Sequence, residues 1–217
     1  MIHFDFEQGS EAWLECRRGI ITGSKFKDAR ETLKTGKASG KAILYAQNLA
    51  RERCKGKSPG IYQNEAMRFG SEQEAFARRA YEALTGNLVE EVGFFKTPDD
   101  IFGLSPDGLI DDDGVLEIKT MVSSETLFTA VADGDISAYI DQINGYLWLL
   151  GREWVDLVLW APDMVDLGLQ MVIKRIARDE SAIQSLQDDL MAFAKTVSEY
   201  ETKLRNAAIK NQQKDTA

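Results

Sequence analysis

The stretch Ser105–Thr120, SPDGLIDDDGVLEIKT, constrains this chain more than any other. It reads as two short strands joined by Asp111-Asp112-Asp113-Gly114, a turn in which glycine is the residue that most easily takes a positive φ. Side chains alternate between the two faces of a strand. Glu117 and Lys119 therefore share one face, and Leu116 and Ile118 point the other way, toward a core. Asp107 stands at the head of the neighbouring strand. Two carboxylates and an ammonium in this arrangement can hold a hard divalent cation on oxygen ligands and set a positive charge beside a phosphate. A Glu-x-Lys tripeptide alone is more often a solvated or cross-strand ion pair. The preceding SPDG and the hairpin lift this one above that reading.

Much other chemistry is excluded by what the chain lacks. The single histidine, His3, leaves no His-dependent triad and no multi-histidine zinc site. Two distant cysteines, Cys16 and Cys54, fit a reducing cytosol and cannot furnish an iron–sulfur cluster. No apolar run approaches the ~20 residues of a membrane span. The opening MIHFDFEQGSEAW is acidic, so no secretory signal is expected. The length of 217 residues and a 44% hydrophobic content predict one domain with its own core, residues 1–217. A formal charge of −9 argues against a polyanionic partner until its distribution is considered. Between Arg17 and Lys57 twelve Lys/Arg face only Asp28, Glu31 and Glu52, a local +9 on a body of −18. Such a segment is either a footprint for nucleic acid or a solvated helical face, and charge alone favours neither.

Along the chain, residues 5–18 predict a short helix leading into Arg17-Arg18-Gly19. In GIITGS, Thr22 or Ser24 can cap a helix starting near Lys25, or join nearby arginines in an anion site; capping is the commoner use. LKTGKASGK superficially looks like a phosphate-binding loop. Only three residues separate Gly36 from Gly40, and Ala42 stands where Ser or Thr is needed, so nucleotide binding is rejected. Helices are predicted at about 41–54 and, after a Ser58-Pro59-Gly60 turn, from Asn64 to Leu84. In the second, Glu74 shares a face with Ala77 and Tyr81, either as a buried carboxylate needing a partner or as a surface pair with Arg78 at i+4. Strands follow at 88–96 and 101–104, then the hairpin, a helix at 135–150 with Gln142 and Tyr146 one turn apart, and strands at 155–161 and 168–173. The order predicts an α/β (α+β) domain with one central mixed β-sheet flanked by helices. A final helix at about 180–207 carries Ile183, Leu186, Leu190, Phe193, Val197, Tyr200 and Leu204, a stripe that more often packs on its own domain than on another chain. From Asn206 the tail reads as polar and frayed.

Five motifs, RRGIITGS, RFGSEQEAF, SPDGL, LEIKT and YIDQINGYLW, resemble in order and spacing those of the lambda-type phage alkaline exonucleases, the YqaJ-like viral recombinase group of PD-(D/E)XK nucleases. The resemblance spans about 13–176. It implies a restriction-endonuclease-like core, here about 64–175. It further implies a homotrimer around duplex DNA and Mg²⁺-dependent 5′→3′ digestion of one strand, leaving a 3′ overhang for recombination by strand annealing. By resemblance, Asp107, Glu117, the Ile118 carbonyl and Glu74 are the metal ligands, for two Mg²⁺ ions with Mn²⁺ able to substitute. Lys119 matches the lysine that orients or activates the attacking water, and Gln142 the glutamine near the scissile phosphate. Arg17, Thr22 and Ser24 match the pocket for the 5′-phosphate of the DNA end, with Arg18 adjacent to Arg17. The family also implies a single-strand-annealing recombinase as partner and a phage or prophage protein in the bacterial cytoplasm.

Two other readings stand beside this one. The metal motif does not set polarity, so a structure-specific endonuclease on the same fold would carry it too. A non-catalytic DNA-binding module would keep the fold, but the full Asp107, Glu117, Lys119 set opposes that.

Overall fold

The computed structural model describes residues 1–57 and 65–215; the expected turn at 58–60 and the expected helix start at Asn64 lie outside the described residues. In chain order the first elements are β1 (Ile2–Phe4), α1 (Glu11–Cys16), β2 (Ile21–Thr22), α2 (Phe26–Arg30), α3 (Gly40–Arg53) and α4 (Glu65–Thr85). Strands β3 (Val89–Glu90), β4 (Phe94–Lys96), β5 (Phe102–Leu104), β6 (Gly108–Ile110) and β7 (Gly114–Thr120) follow. The chain then forms α5 (Ser124–Leu127), α6 (Ile140–Leu150), β8 (Trp154–Trp160), β9 (Met171–Ala177) and α7 (Glu180–Asp215). The mixed α/β arrangement is as expected, but the strands divide between two sheets. The chain accordingly forms two compact units, one of Met1–Gly60, Phe94–Leu104 and Ser181–Ala217, the other of Ile61–Gly93 and Ser105–Glu180.

The first unit holds a four-stranded sheet in the order β1-β4-β5-β2, antiparallel except for β5 beside β2. Trp13, Ile20 and Phe94 form one buried cluster. The stripe on α7 is buried from Ile183 through Val197, Phe193 stacks on Tyr45 at 5.4 Å, and Arg30 pairs with Asp189 at 2.6 Å. This length of the stripe thus serves the chain's own core. Helix α7 continues through Asp215, so the tail from Asn206 is helical rather than frayed. Of the basic segment, Lys25 and Lys41 both pair with Asp28, at 2.8 and 2.6 Å, and Arg18 pairs with Glu15.

The second unit holds a five-stranded sheet in the order β3-β6-β7-β8-β9. Only β7 and β8 are parallel, and a parallel pair needs a crossover, which α5 and α6 supply. The hairpin of β6 and β7 forms with Gly108 opposite Leu116 and Ile110 opposite Gly114. Its turn differs from expectation in one respect: Asp111 takes the positive φ, +44°. Gly114 instead begins β7 and is required for close approach, because a Cβ there would meet the Trp154 indole at 2.3 Å. Leu116 and Ile118 face α4, where they bury against Ala77, Tyr81, Ile110, Val158 and Trp160.

The expected strand over 88–96 is two strands. Val89–Glu90 pairs with β6 in the second unit's sheet, and Phe94–Lys96 pairs with β1 and β5 in the first unit's. A continuous apolar run gives no sign of which sheet each half will join, since strand propensity reports fit to a pleated surface and not the identity of the partner.

Candidate active site

Alternation along β7 decides what each residue offers. Leu116 and its even-numbered neighbours direct N–H and C=O toward β6, and the odd-numbered residues direct theirs toward β8. β6 starts only at Gly108, so at Ile118 the ladder has run out. The Ile118 N–H is taken instead by the Asp107 carboxylate, at 2.6 Å to Oδ2. A residue's C=O points to the same side as its N–H, so the Ile118 carbonyl opens toward Asp107 as well.

Glu117 projects from the other face and is buried, with 2% exposure. A carboxylate in that position needs donors, and it has three. Lys119 Nζ approaches Oε1 at 2.5 Å, Gln142 Nε2 donates to Oε1 at 2.8 Å, and the Tyr146 hydroxyl donates to Oε2 at 2.6 Å. Gln142 and Tyr146 lie one turn apart on α6 and also bond each other, at 2.6 Å. Tyr139, one turn earlier, places its ring 5.9 Å from the Lys119 ammonium.

Glu74 reaches the cluster from α4. It pairs with Arg78 at 2.9 Å, as the i+4 spacing suggests, but this is no surface pair: the Arg78 side chain is 10% exposed. Arg78 also holds Glu91, at 2.5 Å.

The charges are crowded. Burial and the nearby Glu117 and Glu74 carboxylates push the Asp107 carboxyl well above the usual range, against the pull of Lys119 and the Ile118 N–H. Burial raises Glu74, Arg78 opposes this, and Glu117 adds to it. Burial works against the Lys119 ammonium, but Glu117 and Asp107 outweigh it and hold its proton more tightly than usual. Burial beside Glu117 pushes the Tyr146 phenol far up, so it stays a donor.

Among the described residues no three Asp, Glu, His or Cys side chains close on one point tightly enough to hold a metal ion by themselves. Lys119, Gln142 and Tyr146 instead hold Glu117, and Arg78 holds Glu74. The donor set nonetheless suits a hard divalent cation. It consists of carboxylate oxygens and a carbonyl without sulfur or imidazole, and its mutual repulsion is what such a cation relieves.

The other expected residues lie in the first unit. The Arg17 guanidinium lies over the Trp13 ring, 3.9 Å from its centroid. Thr22 is buried and, although it precedes a 3-10 turn at Gly23–Lys25, its hydroxyl makes no capping bond. Its N–H donates to the Tyr45 hydroxyl at 3.1 Å, and its own hydroxyl faces the same group. The capping use favoured from sequence is therefore not the one adopted. Ser24 is exposed in the same turn. Gly19, at φ +73°, has both backbone groups gripped from α3: Glu52 accepts its N–H and Arg53 donates to its carbonyl, each at 2.8 Å.

The one-turn spacings Gln142–Tyr146 and Glu74–Arg78 mark Tyr146 and Arg78 in the sequence, though not their place at the site; nothing local marks Tyr45.

An aspartate at the end of one strand, Glu-x-Lys on the next and a glutamine from the following helix mark the class of PD-(D/E)XK nucleases. Residues 12–153 match the YqaJ-like viral recombinase domain, and the chain belongs to that family, the lambda-type alkaline exonucleases. It is similar to the alkaline exonuclease LHK-Exo from Laribacter hongkongensis, 32% identical over 92% of this chain and 98% of that one, with a TM-score of 0.79. The same protein in complex with dAMP gives 31% identity over the same shares and a TM-score of 0.80. A phage-related exonuclease from Haemophilus somnus 129PT, 17% identical over 85% and 96% of the two chains at a TM-score of 0.67, shares the fold. No curated protein sequence matches the chain. Family membership makes this protein a DNA exonuclease.

Proposed function

We propose that the protein digests one strand of duplex DNA from a 5′-phosphorylated end, 5′→3′ and with Mg²⁺, leaving a 3′ overhang for recombination by strand annealing. The observation that carries the reading is Glu117, a buried carboxylate flanked by a lysine, a glutamine and two further carboxylates. Asp107, Glu117, Glu74 and the Ile118 carbonyl would hold the metal, as two Mg²⁺ ions with Mn²⁺ able to substitute. When bound, Mg²⁺ supplies an activated water and charge relief for phosphodiester hydrolysis.

The chain's own residues account for the rest. Lys119, protonated and 28% exposed, presents its ammonium where a phosphate meets Glu117. Gln142 offers an amide at the same carboxylate and orients the water. Tyr146 keeps Glu117 fixed through Oε2. Arg17, Thr22 and Ser24 receive the terminal 5′-phosphate. Arg18 is engaged with Glu15 at the surface, which favours Arg17 for that role. The dAMP bound by LHK-Exo is a 5′-nucleotide of the kind such digestion releases. The partners belonging to this reading are two further copies of the chain, as a homotrimer, and a single-strand-annealing recombinase in the bacterial cytoplasm.

The test is linear duplex DNA labelled at the 5′ or the 3′ end, incubated with Mg²⁺ beside a closed circle. Early release of only the 5′ label as mononucleotide, with circles intact, is expected. Cut circles would replace the exonuclease by an endonuclease on the same fold. No metal-dependent product on any substrate would leave a DNA-binding module.

A further inference from the structure

We propose that Asp156, with Tyr81 and Arg175, forms a positioning network that sets the roll of α4 and thereby the reach of Glu74 toward Asp107 and Glu117. The proposal rests on the nuclease reading above, in which Glu74 is a metal ligand.

β8 runs parallel to β7 with Asp156 beside Leu116 and Val158 beside Ile118. Asp156 therefore shares the sheet face that α4 covers. It is 2% exposed in the middle of an otherwise apolar surface. Its carboxylate accepts the Tyr81 hydroxyl at 2.6 Å and both arms of Arg175, at 2.8 and 2.7 Å. The Arg175 guanidinium itself lies over the Trp154 ring, 3.7 Å from its centroid. Asn87 donates to the Tyr81 hydroxyl at 2.8 Å.

Stability does not explain this network. Burying the Asp156 carboxylate carries a desolvation cost that its pairing with Arg175, a side chain 54% exposed, does little more than offset, and a well-packed apolar residue of similar volume does as well or better. What apolar packing does not supply is direction. Ala77, Ile118 and Val158 would hold α4 on the sheet at several roll angles, whereas a hydrogen bond to a fixed carboxylate selects one. The ties fall where they matter for Glu74. Tyr81 is two turns further along the same helix face, and Gln73, the residue before Glu74, accepts the Trp160 indole N–H at 3.1 Å. Glu74 is thus bracketed by two polar anchors on β8, the strand beside the one that carries Glu117.

The test uses the full chain and Mn²⁺ as probe, with free Mn²⁺ followed by electron paramagnetic resonance. Steady-state kinetics on 5′-phosphorylated duplex and thermal melting accompany it. Tyr81→Phe removes the tie to α4, together with the acceptor for Asn87; Asp156→Asn removes the charge at constant shape; Val158→Ala destabilises the same face without touching the network. Tyr81→Phe is expected to weaken Mn²⁺ binding about tenfold or more, the scale seen when groups that orient metal ligands are removed. It should also lower kcat with KM for DNA ends unchanged. Asp156→Asn should follow it if it folds; should it not fold, Tyr81→Phe decides alone. Mn²⁺ affinity in Tyr81→Phe equal to the parent's, or a loss no greater than in Val158→Ala at the same melting temperature, would overturn the proposal. Glu74→Gln serves as reference: if it binds Mn²⁺ as the parent does, Glu74 is no ligand, and the site reading falls before the network is reached.

Discussion

Asp28 and Asp107 are the same side chain set in opposite surroundings, one in each unit. Burial works to raise Asp28, but Lys25 and Lys41 outweigh it and hold its carboxyl below the usual range. Asp107 meets burial and two further carboxylates, and a single lysine and one N–H do not compensate them. At Asp28 a negative charge is answered at once by positive ones. Around Asp107, carboxylates are gathered beyond what their own partners neutralise. Charge arranged to stabilise a fold ends in pairs; charge left in excess is held for something that binds.

Substitutions can sharpen or break this comparison. The largest effect belongs to the lysine of the crowded cluster. Lys119→Ala is expected to slow nucleotide release by about 10²- to 10⁴-fold, the range of a positioned proton-transfer or charge-stabilising group. Single-turnover digestion of end-labelled duplex measures this, and a near-normal rate would remove Lys119 from the chemistry. Next comes Asp107→Asn, which keeps an acceptor for the Ile118 N–H while removing one repelled charge. Without metal the variant should be more stable, by about 0.5–2 kcal/mol, and Mg²⁺ should no longer raise its melting temperature. A lower melting point without metal would mean that Asp107 is a structural acceptor like Asp28.

The two sites also predict opposite responses to pH in metal-free protein. Asp107 and Glu74 are raised, so their contribution to stability is full below about pH 4 and is lost as pH rises through their raised values. Asp28 is depressed, so its contribution is present above about pH 4 and is lost as pH falls through its lowered value. Amide exchange measured without metal at mildly acidic and at alkaline pH should show β6–β7 less protected at the higher pH, with Mg²⁺ restoring protection; unchanged protection there would contradict the crowding. The smallest effect is Asp28→Asn, a loss of about 0.2–1 kcal/mol in thermal or urea melts with digestion rate unchanged.

The parts legible in the sequence were those set by local alternation. The faces of Glu117, Lys119, Leu116 and Ile118 follow from the period of two, and the hairpin from its acidic turn. Non-local facts were not legible. Nothing in LVEEVGFFK says that Val89 and Phe94 join different sheets. Nothing near Arg78 says that β-strand packing will bury its pair with Glu74. The sequence makes Gly114 a turn residue because the Trp154 ring that demands a glycine comes from a strand far along the chain. The sequence assigns the Thr22 hydroxyl to a cap because Tyr45, its actual partner, lies 23 residues away.

The segments that compose the first unit carry a last consequence, for the order in which the protein is made. The second unit is complete once Glu180 has been synthesised, whereas the first waits for the rest of α7, which starts at that residue. Until Leu186, Leu190 and Val197 leave the ribosome, the N-terminal segment lacks residues that belong to its own core. Chain segments so distant must meet by closing a long loop, an entropic cost that local contacts do not carry and that slows folding. The N-terminal segment, made before the second unit, is thus finished after it, and a message truncated before α7 would yield a completed nuclease hairpin together with an unfinished unit that exposes apolar surface to chaperones and proteases.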